Sequence, residues 1–350
     1  MPLSQEERRP RLTPAIADVR RAVREALGAE SFRDGREAAS STKGGGAALV
    51  LVALSGGADS LALAAATAFE APRAGLRAGA VIVDHGLQDA SADVAARAAA
   101  QARELGLDPV LVRRVDVDRA STAGPEAAAR AARYEALTAA ASDHHARAVL
   151  LAHTLDDQAE TVLLGLARGS GAGSLQGMAP ESGLYRRPLL GIRRATTRAF
   201  CADSRLTPWD DPQNVDPSSA RVRVRQRVLP VLESELGPGV AVALARTAEQ
   251  LREDNAAFQQ MIDEVIEDIV EHVEAGIGIA VSALEANPPA LRGRIVRYVV
   301  QSEFGVALER VHVQAVLRLI TAWRGQRPLD LPGFTATREG GLLVLRGLPR

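Results

Sequence analysis

AALVLVALSGGADS, running from Ala47 to Ser60, is the stretch on which the reading of the fold turns. Ala47 to Leu54 is apolar without a break and of strand length. The pattern stops at Ser55-Gly56-Gly57, and Asp59 to Phe69 continues with helical composition. A strand that is apolar on every residue has both faces covered, as in a parallel sheet packed between helices.

The same unit recurs downstream. Ala80 to Val83, Pro109 to Val117 and Ala148 to Ala152 read as further strands. They alternate with helical stretches at about Ala90 to Leu105, Pro125 to Ala141 and Leu155 to Ala167. Alternation of this kind predicts an α/β fold with a parallel, doubly wound sheet. Right-handed crossovers then bring every strand's C-terminal end to one side, where ligands bind. The residues richest in chemistry fall at those ends: 55–60, Asp84-His85, and 153–157.

Upstream, Ile16 to Leu27 has helical spacing behind Thr13-Pro14, and Glu30 to Gly46 reads as a loose Ser/Gly/Ala connector. Downstream, 169–191 is glycine-rich and irregular. The spacing predicts a long helix from Val240 to about Val273, and others near Ala290 to Ser302 and Arg310 to Trp323. The tail, Leu329 to Leu348, has Pro332-Gly333 and Gly340-Gly341 turns and is expected to be a small β element. The expected organisation is an N-terminal helix and connector (1–46), a catalytic domain (47–235) and a mainly helical C-terminal domain (236–350).

At 350 residues, with 47% hydrophobic and 24% charged residues, the chain has enough material for more than one packed core. A net charge of −1 means that any nucleic-acid contact comes from local patches. Lys43 is the only lysine, so phosphate clamping falls to arginine, backbone amides or metal. A single cysteine, Cys201, excludes an intrachain disulfide and a thiolate cage, and the expectation is a cytoplasmic protein. Met1 to Pro14 is charged, so no signal peptide is expected, and no apolar run suggests a membrane span.

Ser55-Gly56-Gly57-Ala58-Asp59-Ser60 lies between a strand and a helix. Its glycines let backbone approach a ligand, and the helix start offers free N–H groups and a positive dipole end to phosphate. No Gly-Lys-Ser/Thr follows, so it is not a Walker A loop. The competing reading is an ordinary turn with Asp59 as helix cap. Ala152-His153-Thr154-Leu155-Asp156-Asp157-Gln158-Ala159-Glu160-Thr161 forms the second constellation. On a helix, His153/Asp157 and Asp156/Glu160 are four apart, gathering three carboxylates and a histidine that suit magnesium or a cationic amine. Capping accounts for Asp157, through Thr154-x-x-Asp157, without accounting for Glu160 or His153.

The S-G-G-x-D-S segment resembles the signature of PP-loop ATP pyrophosphatases, a Rossmann-like group that adenylates an oxygen of the substrate. The H-x-x-D-D-Q-x-E-T segment is similar to that of tRNA(Ile)-lysidine synthetases and related PP-loop tRNA-modifying enzymes. Further pieces agree in order: Val83-Asp84-His85-Gly86-Leu87, Ala129-Arg130-Ala131-Ala132-Arg133-Tyr134, Arg168-Gly169-Ser170-Gly171 with Gly177-Met178, and Arg187-Pro188-Leu189-Leu190. The segment Asp211-Pro212-Gln213-Asn214-Val215-Asp216, followed by Arg221-Val222-Arg223-Val224-Arg225-Gln226-Arg227 and Leu229-Pro230, also matches, with Val222 in place of the family's asparagine.

The resemblance implies that Ser55, Gly56, Gly57, Ala58, Asp59 and Ser60 hold ATP phosphates, with His85 over the nucleotide. It implies magnesium on some of Asp59, Asp156, Asp157 and Glu160. Arg130 and Arg133 share a helix face suited to phosphates or an adenylated base, against a solvated face with a Glu126–Arg130 pair. Arg221, Arg223 and Arg225 would form a basic strip for RNA phosphates, the alternative again being a solvated face.

The implied reaction is adenylation of the wobble cytidine of an isoleucine tRNA with a CAU anticodon, followed by displacement of AMP by L-lysine. Asp157 is the first choice to hold the amine, with His153 moving a proton or orienting the base. The rivals are a tRNA thiolase, poorly served by one cysteine; a small-molecule amide ligase; and a non-catalytic nucleotide- or RNA-binding module. Cys201 reads as a buried small residue and His144-His145 as surface. The longer members' additional C-terminal domain is not expected, and the sequence leaves a homodimer open.

Overall fold

A computed structural model describes residues 12–28, 47–86, 90–116, 124–169, 171–274 and 276–348. The whole 30–46 connector, Leu87, Ser170 and the Glu126 side chain lie outside the described residues. Two compact units emerge, Met1–Arg252 and Glu253–Arg350.

The N-terminal unit begins with α1 (Pro14–Gly28). Thr13 Oγ1 accepts the Ile16 N–H at 3.3 Å, and Pro14 occupies the first turn, where its missing N–H costs nothing. β1 (Leu49–Ala53), α2 (Ala58–Glu70), β2 (Arg77–Asp84), α3 (Ser91–Glu104), β3 (Val110–Arg114), α4 (Pro125–Asp143), β4 (Ala148–Leu150) and α5 (Leu155–Ala167) then alternate. A four-residue helix α6 (Ala172–Leu175), the short strands β5 (Glu181–Ser182) and β6 (Tyr185–Arg186), and α7 (Arg194–Asp203) follow.

The sheet order is β3-β2-β1-β4-β6-β5; every pair is parallel except β5 with β6. In β1, Val50 and Val52 join one core with Ile16, Val19 and Val23 of α1, Leu61 and Leu63 of α2, and Phe200 of α7. Leu49 and Leu51 join the opposite core with Leu137, Ala140 and Ala141 of α4. Two covered faces explain the unbroken apolar run, each buried side chain contributing about 1.5–3 kcal/mol. The chain leaves β1 for β2 and later returns to β4 on the other side of β1. That reversal sets the loops after β1 and β4 side by side, at the position where open α/β sheets bind ligands.

Ala220–Glu235 forms one continuous helix, α8, with a π turn at Val224–Val228 just before Pro230. α9 (Val240–Ile269) ends four residues short of the expected Val273. Val270–Val273 instead is strand β7, pairing antiparallel with β8 (Gly276–Ala280). Cross-strand pairing overrides the helical spacing there. The expected division at 235/236 falls in the loop before α9, whereas the compact units divide inside that helix. Its first turns belong to the N-terminal unit, since Ala241 packs with Leu155, Ala159 and Leu229.

The C-terminal unit continues through α10 (Val281–Ala286), α11 (Pro289–Phe304), α12 (Arg310–Thr321), β9 (Leu329–Leu331), β10 (Phe334–Glu339) and β11 (Leu342–Gly347). Its antiparallel sheet has the order β7-β8-β11-β10-β9, so the expected β tail is three strands of five. No single described helix is long and apolar enough to cross a membrane.

Candidate active site

At the end of β1, Gly56 takes φ +85°, a left-handed conformation, and a Cβ there would meet Ala98 and Trp209. The Trp209 N–H donates to the Gly56 carbonyl at 2.9 Å. Gly57 caps α2 in an extended conformation without a side-chain cap, so the first-turn amides at Ala58, Asp59 and Ser60 are left for a ligand. Ser60 is buried and closes the loop: its Oγ donates to the Gly57 carbonyl (3.0 Å), accepts the Ser55 N–H (3.2 Å) and lies 3.0 Å from Ser55 Oγ. Ser55 itself is exposed.

At the end of β4, Thr154 caps α5 through the box read from the sequence. Asp157 Oδ2 accepts the Thr154 N–H (2.8 Å) and hydroxyl (2.7 Å). His153 precedes the helix, so its four-residue spacing to Asp157 is not a helical one. Asp156 caps a different helix, its Oδ2 accepting the Arg194 N–H that opens α7 at 2.8 Å.

The four expected carboxylates do come together, around a residue the sequence reading missed. Arg194 places Nη2 2.7 Å from Asp157 Oδ1, Nη1 3.2 Å from Glu160 Oε1 and Nε 3.5 Å from Asp59 Oδ2. Arg225 grips the fully buried Glu160 with Nε at 2.7 Å from Oε1 and Nη2 at 3.1 Å from Oε2. Arg193 meets Asp156 at 3.2 Å, and Thr197 Oγ1 donates to Asp59. Burial pushes the Asp157 carboxyl up, but Arg194, the Thr154 hydrogen bonds and His153 together hold it below the usual range. Asp59 is raised, mainly by burial. Buried acids demand cationic partners, a signal that some arginine was needed without marking Arg194 as the one.

The carboxylates expected to hold magnesium, Asp59, Asp156, Asp157 and Glu160, are paired with arginines in the same geometry. Their oxygens face guanidiniums, and among the described residues no three His, Cys, Asp or Glu side chains are grouped to hold a metal ion. The residues of the expected basic strip have different partners. Arg221, Arg223 and Arg225 lie on helix α8, so alternate positions diverge. Arg221 and Arg225 turn toward α5, Arg221 Nη2 donating to Thr161 Oγ1 at 3.3 Å. Arg223 donates to the Pro217 and Ser218 carbonyls, each at 2.7 Å. Val222, where the resemblance calls for asparagine, is buried.

A second group lies across the strand ends. His153 is pushed down to about 3 by burial, then by Arg133, Arg187 and Arg130, against the pull of Asp157. His85 is lowered by burial and by Arg133. Both imidazoles are therefore neutral at pH 7, and His85 Nδ1, His153 Nδ1 and Arg133 Nε are buried without a hydrogen-bond partner among the described residues. Arg130 lies 5.0 Å and Arg133 5.6 Å from the Tyr134 ring centroid. A half-buried guanidinium flanked by neutral rings suits an anion.

Gln158, to which the sequence reading gave no role, is buried and fixes the glycine-rich loop. Its amide donates to the Met178 carbonyl at 2.9 Å and accepts the Met178 N–H at 2.7 Å. Gly177, at φ +63°, lies so close that a Cβ there would overlap the Gln158 amide. Cys201 is buried behind the phosphate loop with its thiol pushed up to about 12 by burial and Asp59, which suits a packing residue.

Between α5, α7, α8 and the start of α9 lies a cavity of about 150 Å³, lined by Asp156, Glu160, Arg193, Arg194, Arg225 and Glu233 among others. Glu233 is occupied with the start of α9, accepting the Ala241 N–H at 3.0 Å.

Residues 34–232 match the model of a PP-loop domain, and residues 280–344 that of a TilS substrate binding domain. The chain is 65% identical over 298 residues to the tRNA(Ile)-lysidine synthase of Leifsonia xyli subsp. xyli, covering 85% of this chain and 89% of that one. It is 54% identical over 311 residues to that of Streptomyces coelicolor, covering 86% of each. To that of Thermobifida fusca it is 49% identical over 335 residues, covering 95% and 98%. The U34-tRNA thiolase NcsA from Methanococcus maripaludis, solved with its [4Fe-4S] cluster, superposes with a TM-score of 0.53. That match covers 68% of this chain and 79% of that one at 20% identity, a likeness of fold.

Proposed function

The chain belongs to the tRNA(Ile)-lysidine synthase family, and we propose that its carboxylate–arginine centre is where the incoming lysine is held. The protein is a ligase that forms a carbon–nitrogen bond, using ATP to attach lysine to the wobble cytidine of isoleucine tRNA with a CAU anticodon. Two displacements accomplish this. The cytidine O2 bonds to the α-phosphorus as the α–β anhydride breaks and pyrophosphate leaves. The lysine ε-nitrogen, having lost a proton, then bonds to C2 as the C2–O bond breaks and AMP leaves.

The observation that carries the lysine assignment is the cavity of about 150 Å³ whose wall sets Asp156 and Glu160 beside Arg193, Arg194 and Arg225. Lysine brings a carboxylate and two ammonium groups, and a wall of both signs suits it. The arginines take the carboxylate. Asp156, which keeps some exposure and whose Oδ1 meets only Arg193 (3.2 Å) among the described residues, takes the ammonium. The fully buried Glu160 anchors Arg225. This moves the amine-holding role from Asp157, whose Oδ2 is committed to the Thr154 cap and whose Oδ1 is committed to Arg194. Asp157 thereby keeps Arg194 in place.

The amides after Gly57 and the exposed Ser55 hydroxyl receive the phosphates of ATP. Magnesium would enter as the counter-ion of those phosphates, neutralising their charge. Arg130 and Arg133 steady the anionic groups that gather at His85 and His153. Neutral His153 orients the base; an imidazole held near 3 is a poor acceptor for an ammonium proton. We place the protein in the cytoplasm, with its tRNA.

The deciding experiment is pyrophosphate release from ATP by purified protein with lysine and a CAU isoleucine tRNA, against mixtures lacking each component. Release that requires the tRNA, with labelled lysine recovered in RNA, is expected. Release without tRNA would move the chain to small-molecule ligation.

A further inference from the structure

The segment between α7 and α8 carries no role in the reading above, yet its backbone lies against the phosphate loop at Trp209. The Trp209 N–H donates to the Gly56 carbonyl at 2.9 Å, and a Cβ on Gly57 would come within 3.9 Å of the Trp209 carbonyl oxygen. On either side of Trp209 the segment is tied to a helix. The Leu206 N–H donates to the Cys201 carbonyl of α7 at 2.8 Å, and Gln101 Nε2 of α3 donates to the Thr207 carbonyl at 2.9 Å. Farther along, Asp211 Oδ1 accepts the Gln213 N–H at 2.9 Å, and Gln226 Nε2 of α8 donates to the Asn214 carbonyl at 3.3 Å. The segment is a strap, fastened before and after the point where it meets the loop.

That meeting decides which way one peptide faces. Gly56 and Gly57 are joined by a trans peptide, so the Gly56 carbonyl and the Gly57 N–H point in opposite directions. With the carbonyl turned to the strap, the Gly57 N–H is turned away from it and bonds to nothing among the described residues. The next peptide is fixed separately, since Ser60 Oγ (3.0 Å) and the Leu61 N–H (2.9 Å) both donate to the Gly57 carbonyl. The Gly56 carbonyl has Trp209 as its one partner among the described residues. Two adjacent glycines give this peptide wide rotational freedom, so a single hydrogen bond is what sets it.

We propose that Trp209 is a positioning residue for ATP. Its main-chain N–H holds the Gly56–Gly57 peptide so that the Gly57 amide joins those of α2 as a phosphate donor. The proposal rests on the ATP reading of this loop. The test is calorimetric titration of the full chain with ATP and magnesium, with inorganic pyrophosphate, and with adenosine. Indolelactic acid placed at position 209 makes a main-chain ester that keeps the indole and removes only the N–H. The ester protein is expected to bind ATP and pyrophosphate each about 10-fold more weakly, as for one lost hydrogen bond to a charged group, and adenosine as before. Trp209→Phe keeps the N–H and should match the wild type. Gln101→Ala, which loosens the strap at Thr207, should weaken ATP and pyrophosphate by a smaller factor. Equal loss for adenosine, or equal loss in Trp209→Phe, would overturn the main-chain role. Unchanged ATP affinity in the ester protein, or in Gln101→Ala if the ester protein does not fold, overturns the lock and leaves the ATP reading standing. A wild type that binds neither ATP nor pyrophosphate overturns both.

Discussion

Arg194 Nη2 stands 2.7 Å from Asp157 Oδ1, so the first residue of α7 and the third residue of α5 hold each other beside the phosphate loop. The same guanidinium reaches Glu160 and Asp59, so one cation joins the starts of three helices. Removing it leaves buried carboxylates without their counter-charge, a change that costs about 3–5 kcal/mol where a buried pair is broken. Arg194→Ala is therefore expected to lose stability on that scale in urea unfolding at pH 7, and Arg194→Lys to lose less. A loss below about 1 kcal/mol would show that the acids find other partners.

Arg225 and Arg223 separate the two roles that the sequence offered for this stretch. Arg225 grips Glu160 inside the lysine cavity, whereas Arg223 is exposed and bonded to its own loop. Arg225→Gln is expected to raise the KM for lysine about 10-fold or more, with little change in the salt slope of tRNA binding. Arg223→Gln should leave the lysine KM unchanged. A normal lysine KM in Arg225→Gln, with tRNA binding lost, would return Arg225 to the RNA surface.

The divergence of these two residues shows where the sequence was legible and where it was not. The strands of the N-terminal sheet were readable because an apolar run such as Leu49–Ala53 has one explanation, two covered faces. The phosphate loop and the carboxylates were readable because they lie at strand ends, which topology brings together. Arg194 was not, since nothing local marks an arginine in α7 as the partner of acids in α5. The contact of Arg225 with Glu160 was not foreseen, because alternation was read as a strip while the chain is helical there. The end of α9 was missed because β7 forms only through its pairing with β8.

Ser55 and Ser60 are one motif with two jobs. Ser60 is buried and holds the loop closed through Gly57 and Ser55, while the Ser55 hydroxyl is exposed on the ligand side. Ser60→Ala is expected to cost about 1–3 kcal/mol in stability, leaving buried loop groups unsatisfied. Ser55→Ala should keep its melting behaviour and lose about 10-fold in kcat/KM for ATP, as expected for one missing phosphate contact. The reverse pattern, a stable Ser60→Ala and an unstable Ser55→Ala, would exchange their roles.

His153 gives the site a pH dependence whose direction follows from its surroundings. Burial and the guanidiniums of Arg133, Arg187 and Arg130 hold the folded imidazole at about 3, against an ordinary 6.5. Between those values the unfolded chain binds a proton that the folded chain does not. Stability is therefore expected to fall as pH drops from about 6.5 toward 3, by up to about 1.4 kcal/mol per pH unit from this residue. Asp157 contributes in a lower window, because its depressed carboxyl adds stability that is fully present only above the unfolded value near ~3.9 and is lost as pH falls. Urea unfolding at pH 7, 6 and 5 thus reads the histidine without the carboxylate. His85, also lowered, acts in the same direction, so His153→Gln should flatten the slope and His85→Gln/His153→Gln should flatten it further. Equal slopes in all three proteins would mean that both imidazoles take up their protons in the folded state, and the neutral, base-orienting role given to His153 would fail with them.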